Sequence, residues 1–195
     1  MTRQRLSKSD LRLTFLEQRI QLSPEARRKS AAAAFDLFFR HVSVPSGAVV
    51  AGYWPIRAEL DDLPILRELL RRNHVCALPH VAGSGKPLVF RAWDLSAPMT
   101  TGKFNIAEPK AGSVVIPDII LVPMAVFDAR GHRIGYGTGF YDMTLAQAKK
   151  AGPVLAVGLA YESQAYDELP ADKGDIRMDV IVTDEKIRPF GGQLL

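Results

Sequence analysis

The sequence predicts an α/β protein, folded as a three-layer α/β/α sandwich around a mainly parallel sheet. Short apolar runs bounded by turn residues alternate with segments of helical periodicity along the chain. This alternation is typical of parallel sheets that are covered by helices on both faces. The 195 residues contain no internal repeat and no linker rich in Gly or Ser. We therefore expect a single domain over residues 1–195.

The first forty residues predict two helices. Ser7 and Asp10 have the spacing of a capping box, with Asp in place of Glu, ahead of an apolar helical pattern. Ser23 followed by Pro24 is a second start signal, with Ser as N-cap and Pro at the first helical position. This second helix is expected to end before Pro45.

The remainder of the chain alternates between predicted strands and predicted helices. The strands are 48–53, 75–78, 88–93, 118–122, 154–159 and 180–182, the last in the chain, and the helices are 61–72 and 143–150. Pro or Gly residues bound most of these segments, which supports their limits.

Composition excludes several classes of protein. Apolar residues make up 47% and charged residues 24% of the chain, which is typical of a globular protein. No run of 18 apolar residues is present, so we expect no membrane partner. The N-terminus lacks an apolar secretory core, and we expect a cytoplasmic protein. The single cysteine, Cys76, allows no internal disulfide and is expected to be a buried small apolar residue.

The net charge of +4 is concentrated early, with eight of the 25 Lys and Arg residues before residue 30. A solvated helix face, a phosphate-binding pair and a nucleic-acid-binding arm are alternative interpretations. No aromatic residues are interleaved with the basic ones, so we expect no nucleic-acid partner. The sequence carries no signal of oligomeric state, and we expect a monomer.

The most informative segment is RIGYGTGFYD, residues 133–142, which we call the glycine segment. It follows a strand region and opens a predicted helix, the position at which open α/β sheets bind ligands. Alternating glycines let backbone N–H groups converge on an anion at a helix N-terminus, and Arg133 adds a cation. Asp142 is placed either to cap the helix or to hold magnesium with phosphate oxygens. A tight turn with a capping Asp is the alternative.

The spacing of the glycines matches neither the dinucleotide-binding fingerprint nor a Walker loop. Three aromatic residues, Tyr136, Phe140 and Tyr141, would be costly in a loop that bound only phosphate. They are explained if the same loop forms one wall of a pocket for a flat organic ring. We therefore predict one loop for two ligands, with backbone amides for phosphate and side chains for the ring.

The segment LVPMAVFDARGHRIGYGTGFYD resembles the signature of the 5-formyltetrahydrofolate cyclo-ligase family, also called methenyltetrahydrofolate synthetase. The segments KSDLR, GYWPIRAELD, LPHV, GKFNIAEP, PDIILVP and DIRMDVIVTDE occur in the family's order. The resemblance implies ATP- and magnesium-dependent cyclisation of 5-formyltetrahydrofolate to 5,10-methenyltetrahydrofolate, with release of ADP and phosphate. ATP and the folate would be small-molecule partners. It also implies a fold like that of sugar-phosphate isomerases and CoA-transferases.

The resemblance further implies roles for individual residues. Those implied for ATP are Lys8, Ser9, Asp10, Leu11, Arg12, Arg133, Ile134, Gly135, Tyr136, Gly137, Thr138, Gly139, Phe140 and Tyr141. Those implied for the folate are Trp54, Glu59, Tyr136, Gly137, Thr138, Gly139 and Phe140. Asp142 and Asp179 are implied as magnesium ligands, and Arg133 and Asp142 as catalytic residues. Lys8 and Arg12 lie one helical turn apart, so they share a helix face, which is independent physical support.

Alternatives remain open at several of these positions. Lys8 and Arg12 fit a solvated helix face, Glu59 a solvated loop carboxylate, Trp54 a core aromatic, and Asp179 a charge at a strand edge. The sequence also departs from the family pattern. The departures are Asn105 for a common Gly, Thr138 for Gly or Lys, Phe140 for Tyr, Met143 for Arg, and Gly174 for His.

The inventory of side chains indicates the kind of chemistry. No Ser-His-Asp or Cys-His set is suggested, and the four histidines have no metal-ligand spacing. Cations, backbone donors and carboxylates suit phosphoryl transfer by alignment and charge neutralisation. The rival functions are a non-catalytic folate- or nucleotide-binding protein, an NAD-dependent oxidoreductase and an RNA-binding protein.

Overall fold

The computed structural model describes residues 6–191. The α-helices are α1 (Lys8–Ile20), α2 (Pro24–His41), α3 (Leu63–Arg71) and α4 (Phe140–Ala151). The strands are β1 (Val49–Ala51), β2 (Val75–His80), β3 (Val89–Trp93), β4 (Met99–Thr101), β5 (Ala107–Pro109), β6 (Val114–Val115), β7 (Ile119–Pro123), β8 (Val126–Asp128), β9 (Arg133–Ile134), β10 (Leu155–Leu159), β11 (Ala165–Tyr166), β12 (Val180–Val182) and β13 (Ile187–Pro189). Short 3-10 turns cover Lys103–Asn105 and Glu162–Gln164.

Eight strands form the central sheet, in the order β13–β12–β10–β7–β1–β2–β3–β6. The five inner strands from β12 to β2 run parallel. Strands β13, β3 and β6 pair antiparallel at the two edges. The prediction of a mainly parallel sheet is confirmed. The expectation that 180–182 is the last strand is wrong, because β13 follows β12 as an antiparallel edge strand.

The sheet is covered on both faces, which explains its continuous apolar strands. In β7, Ile119 and Leu121 point into one core cluster, and Ile120 and Val122 point into the other. Helices α2 and α3 contribute to the first cluster, and Leu145 of α4 contributes to the second. Alternate residues of a strand face opposite sides, so a strand buried twice must be apolar throughout. The three-layer prediction is confirmed, and the likeness to sugar-phosphate isomerases stays a prediction.

Helix α1 lies against a second, smaller sheet of β8, β9 and β11. Leu11 and Phe15 of α1 pack with Val126, Ile134 and Leu169. This contact places α1 beside β9, from which the glycine segment continues. The predicted starts of α1 and α2 are confirmed. The first helix has a reciprocal capping box, and the second has an N-cap hydroxyl followed by a proline.

Several element limits differ from those predicted. Helix α4 begins at Phe140 rather than at residue 143, because Gly139 serves as its N-cap. Helix α3 begins at Leu63 rather than at 61, where the Asp61 carboxylate instead accepts from the Leu63 amide. The short strands β4–β6, β8, β9 and β11 were not predicted. Cys76 is buried as expected. Among residues 6–191, every helix is too short or too polar to cross a membrane.

Substitution of Gly158 by alanine should destabilise the central sheet. A Cβ at this position in β10 would lie 2.9 Å from Cγ1 of Ile181 and would also meet the end of Met124. Ile181 is branched and fully buried, so it has little freedom to move. We expect Gly158→Ala to lower the free energy of unfolding by about 1–3 kcal/mol, measured by urea denaturation.

The matched control is Gly174→Ala, where a Cβ would meet no atom within 4 Å. Its free energy of unfolding should stay within about 1 kcal/mol of wild type. Equal values for the two variants would contradict the packing described for β10.

Candidate active site

A cleft of about 240 Å³ lies where α1 meets the glycine segment, beside the carboxyl end of β7. Its walls include Lys8, Arg12, Arg133, Asp142 and Asp175. The cations predicted near the N-terminus are therefore brought to the glycine segment across more than 100 residues of sequence. The carboxyl ends of parallel strands are where α/β sheets commonly bind ligands.

The backbone of the glycine segment needs two of its three glycines. Gly137 and Gly139 have φ angles of +87° and +69°, which other residues rarely adopt. Gly139 is the N-cap of α4 and receives no side-chain cap from a described residue. The first amides of α4 are thus left for a ligand, at the positive end of the helix dipole. Gly135 does not have a positive φ angle, and a Cβ added to it would meet no atom within 4 Å.

The two cations of α1 face this cleft rather than bulk solvent. Nε of Arg12 donates to the Gly135 carbonyl at 2.6 Å, and its guanidinium borders Gly137. Nζ of Lys8 donates to Asp172 at 2.8 Å and to Asp175 at 2.5 Å. Burial alone would lower the pKa of Lys8, but these two carboxylates outweigh it and raise the pKa. The solvated-face interpretation of this pair does not fit their contacts.

The three residues between Lys8 and Arg12 do not line the cleft. Ser9 is exposed, Asp10 caps α1 through Ser7, and Leu11 is buried against the small sheet. Their predicted contact with ATP stays a prediction. In this structure such a contact would have to come from their backbone atoms or follow a rearrangement of the site.

Arg133 and Asp142 form the framework behind the glycine segment. Nη2 of Arg133 donates to Oδ1 of Asp142 at 3.0 Å, and Nη1 donates to the Ile176 carbonyl at 2.5 Å. The same Asp142 oxygen accepts from the Ile176 amide at 3.0 Å. The Arg133 side chain is only 4% exposed. Asp142 is therefore held in place by neighbours outside its own helix, and it does not cap α4.

The structure separates Asp142 from Asp179. Both carboxylate oxygens of Asp179 accept from Lys149 of α4, and one also accepts from the Ala156 amide. Lys149 is seven residues beyond Asp142, which corresponds to about 10 Å along a helix. Asp142 lines the cleft, whereas Asp179 is not among the described residues that form its walls, so the structure does not bring the two carboxylates together there. Asp179 has the contacts of a charge at a strand edge, and its implied role as a magnesium ligand stays a prediction.

Asp175 is the second carboxylate of the cleft. It lines the same walls as Asp142 and is bonded to Lys8. Burial would raise its pKa, but the Asp172 amide and Lys8 outweigh burial and lower it, so the ionised form is favoured. Two carboxylates beside a phosphate-binding loop form a donor set that suits magnesium. Within residues 6–191 no group of three or more His, Cys, Asp or Glu is arranged as a metal site. Phosphate oxygens of the ligand would therefore have to complete the coordination of an ion held by these two carboxylates.

Trp54 and Glu59 line a second, larger cavity of about 880 Å³ between α2 and the loop after β1. Glu59 is only 6% exposed, so the solvated interpretation is wrong. Its Oε2 accepts from the Ile56 amide at 2.9 Å, while Oε1 has no hydrogen bond of ordinary length and angle to a described residue; the Tyr136 hydroxyl lies near enough to the carboxyl to lower its pKa. Burial raises the pKa of Glu59 to about 7, with smaller opposing effects of the Ile56 amide and the Arg19 charge. Trp54 is partly buried and packs at the edge of the core.

Tyr136 connects the two predicted ligand sites. It belongs to the glycine segment and lines the cleft, and its hydroxyl accepts from Nη2 of Arg19 at 2.6 Å. The Arg57 guanidinium lies 5.4 Å from the centre of its ring. Burial raises the pKa of Tyr136 to about 12, followed by the effect of the Glu59 charge. The hydroxyl thus stays protonated near neutral pH, between the glycine segment and Glu59.

Phe140 meets an aromatic residue that the sequence did not indicate as functional. The rings of Phe104 and Phe140 lie 5.9 Å apart in an edge arrangement, and Phe104 is 63% exposed. Phe104 and Asn105 both have positive φ, at +60° and +59°. Asn tolerates this region better than most residues, which explains how it replaces the glycine common in the family.

The fold and the cleft define a class of α/β proteins with an anion-binding loop beside the carboxyl end of a parallel strand. Comparison with known proteins gives the particular family. The chain matches the model of the 5-formyltetrahydrofolate cyclo-ligase family over residues 4–184. It therefore belongs to this family, and the resemblance stated from the sequence is confirmed.

Individual relatives agree with this assignment. The chain is 32% identical over 189 residues to the 5-formyltetrahydrofolate cyclo-ligase of Mycolicibacterium smegmatis, covering 92% of this chain and 95% of that protein. It is 30% identical over 180 residues to the Escherichia coli K12 protein of the same name, covering 88% and 97%. These names do not favour the alternative of a non-catalytic binding protein.

Solved structures show the same fold. The NMR structure of Aquifex aeolicus 5,10-methenyltetrahydrofolate synthetase has a TM-score of 0.78 at 35% identity, covering 94% of this chain and 92% of that one. A 5,10-methenyltetrahydrofolate synthetase from Mycoplasma pneumoniae has a TM-score of 0.74 at 23% identity, covering 92% and 99%, which supports the fold alone.

Sequence reasoning missed Asp175, Phe104 and Arg19. Asp175 lies four residues before Asp179 in the segment DIRMD, so the same motif contains both carboxylates. The fold is needed to tell which of them lines the cleft. Phe104 lies in a quoted segment, GKFNIAEP, but carried no signal of its own. Arg19 is 2% exposed and would have been found only by noting a charged residue at an apolar helical position.

The buried carboxyl of Glu59 should make stability depend on pH. Its pKa is raised from 4.5 to about 7, so the folded state keeps a proton that the unfolded state releases between these values. Stability from this group is complete below about pH 4.5 and is lost as pH rises through 7, by about 3 kcal/mol. We expect the free energy of unfolding of wild type to fall relative to Glu59→Gln between pH 5 and pH 8.

Urea denaturation at each pH measures this difference, with Glu17→Gln on the exposed side of α1 as the control. The control should follow the wild-type curve. Parallel curves for wild type and Glu59→Gln would show that Glu59 has an ordinary pKa.

Proposed function

We propose that this chain catalyses ATP-dependent cyclisation of 5-formyltetrahydrofolate to 5,10-methenyltetrahydrofolate, with release of ADP and phosphate. The observation that carries the proposal is the meeting of two sites at Tyr136. One is a loop of amides and cations that suits a triphosphate, and the other contains a buried carboxyl with a free oxygen. Membership of the family supports the assignment of ATP and the folate to these sites.

The nucleotide phosphates would bind in the cleft of the glycine segment. The N-terminus of α4 offers uncapped amides, and Lys8 and Arg12 add charge from the opposite wall. In the arrangement described here Lys8 is paired with Asp172 and Asp175. Binding of a triphosphate therefore exchanges these ion pairs for bonds to phosphate oxygens.

Asp142 and Asp175 would hold the magnesium ion that accompanies ATP. Both are carboxylates of the same cleft, and magnesium is commonly bound by one or two carboxylates together with substrate phosphate. The ion, when bound, neutralises phosphate charge during transfer. Arg133 positions Asp142 through a buried hydrogen bond and adds a positive charge behind the loop.

The folate would lie between the Glu59 site and the aromatic side chains of the glycine segment. The unpaired Oε1 of Glu59 is available to accept from the N–H donors of a pterin ring. Trp54 on one side, and Phe140 with Phe104 on the other, offer apolar surfaces for flat rings. This arrangement of the folate site keeps the residues predicted to bind the substrate and adds Phe104.

The reaction itself needs no protein nucleophile. The formyl oxygen forms a bond to the γ-phosphorus while the bond to the β-phosphate oxygen breaks, and ADP leaves. The second folate nitrogen then attacks the formyl carbon and loses its proton, and the carbon–oxygen bond breaks to release phosphate. What the protein supplies is alignment of the two substrates and stabilisation of the transferring charge. The expectations of a monomer, a cytoplasmic location and no nucleic-acid partner stay predictions.

A direct assay tests the proposed function. Purified protein is mixed with ATP, magnesium and 5-formyltetrahydrofolate, and the absorbance of the methenyl product is followed. Product should accumulate with all three present and fail to form when ATP is omitted. Binding of both ligands without product would favour the non-catalytic alternative.

The carboxylates of the cleft should control the magnesium requirement. We expect Asp142→Asn and Asp175→Asn each to raise the magnesium concentration for half-maximal rate by about tenfold or more, because each loses a ligand charge. Asp179→Asn should have little effect, because Asp179 is bonded to Lys149 outside the cleft. Circular dichroism checks that the three variants fold alike.

The same titrations decide between the two carboxylates of the DIRMD segment. If Asp179→Asn shifts the magnesium dependence while Asp175→Asn does not, the ligand implied by the sequence is correct and the structural assignment fails.

A further inference from the structure

Arg19 is a buried arginine that neither predicted ligand site contains. It lies in the last turn of α1 and is only 2% exposed. Its guanidinium donates three hydrogen bonds to three separate parts of the chain. Nε reaches the Arg57 carbonyl at 3.1 Å, Nη1 the Met124 carbonyl at 2.9 Å, and Nη2 the Tyr136 hydroxyl at 2.6 Å. All three acceptors are uncharged oxygens.

The first acceptor lies in the loop that carries Glu59. This loop, residues 54–59, contains two consecutive non-glycine residues with positive φ, Arg57 at +46° and Ala58 at +59°. Such conformations are unfavourable and persist only where surrounding contacts impose them. The bond from Arg19 to the Arg57 carbonyl is one such contact. It fixes the backbone immediately before Glu59.

The other two acceptors lie on the opposite side of the site. Met124 follows β7, whose last residue borders the cleft, and Tyr136 belongs to the glycine segment. The planar guanidinium has its donors in a fixed fork, so its three bonds define a single relative placement of these segments. A lysine has all its donors on one freely rotating nitrogen, so it could not bridge acceptors that the guanidinium reaches with three separate nitrogen atoms.

We propose that Arg19 is a positioning residue that holds the Glu59 loop and the glycine segment in one fixed relation. This inference rests on the proposed function, in which the folate and the nucleotide bind on these two segments. Transfer of a phosphoryl group to the formyl oxygen requires both substrates to be aligned, and a displacement of about 1 Å costs up to about a hundredfold in rate. Arg19 acts through Arg57 and Tyr136 and does not itself touch the reacting atoms.

Two variants test this role by separate routes. Arg19→Lys keeps the charge but loses the fork, and Tyr136→Phe keeps the ring beneath Arg57 but loses the hydroxyl. We expect each to lower kcat by about tenfold to a hundredfold, while KM for ATP and for the folate changes by less than about threefold. Gln18→Lys, on the exposed side of the same helix, is the matched control and should retain wild-type kinetics.

The double variant shows whether the two residues act together. If Arg19 works through Tyr136, Arg19→Lys combined with Tyr136→Phe should be no worse than the poorer single variant. Losses that multiply would overturn the proposal. So would a rise in KM with kcat retained, which would indicate an ordinary contribution to binding.

A measurement that needs no turnover separates this inference from the proposed function. Hydrogen exchange at the amides of residues 57–58 and 135–139 should become faster together in Arg19→Lys, while the amides of β7 and β10 stay protected. If Arg19→Lys does not fold, Tyr136→Phe alone carries the test and must show faster exchange at residues 57–58. Faster exchange in one segment only, or throughout the protein, would contradict the proposal. Absence of methenyl product from wild type would instead overturn the proposed function.

Discussion

The burial of the apolar face of α1 against the small sheet is the contact on which the site depends. Leu11 and Phe15 enter a cluster with Val126 and Ile134, and this fixes α1 beside the strand that leads into the glycine segment. Lys8 and Arg12 then line the cleft, and Arg12 and Arg19 bond to the glycine segment through the Gly135 carbonyl and the Tyr136 hydroxyl. Without the apolar contact these cations would lie on a mobile helix, and their charge would be spread through solvent.

The cleft is organised by charge before any ligand binds. Its cations are held by carboxylates and carbonyls at fixed distances, so their charge is already placed at the cleft before phosphate arrives. The same arrangement explains the placement of the carboxylates. Asp142 is fixed by Arg133 and the Ile176 amide, and Asp175 by Lys8, so both carboxylates are paired with cations of the cleft.

Local signals in the sequence predicted what local physics determines. The caps of α1 and α2, the burial of β7 on both faces and the positive φ of Gly137 and Gly139 all follow from short-range rules. The short strands of the small sheet were missed because a strand of two or three residues is too short to show an alternating pattern of apolar and polar residues. The sequence could not distinguish Asp175 from Asp179, because tertiary contacts decide which of the two carboxylates lines the cleft.

The aromatic residues of the glycine segment differ in the partners that the fold provides. The hydroxyl of Tyr136 is placed against a buried guanidinium, which satisfies it as it is removed from water. The ring of Phe140 meets the edge of another ring, Phe104, and the hydroxyl of a tyrosine at position 140 would have no hydrogen-bond partner in that contact. Because Arg19 must bond an oxygen at Tyr136 to avoid a buried unpaired donor, the tyrosine at 136 is constrained by α1. The ring at 140 makes an edge contact with Phe104 that a phenylalanine forms without a hydroxyl.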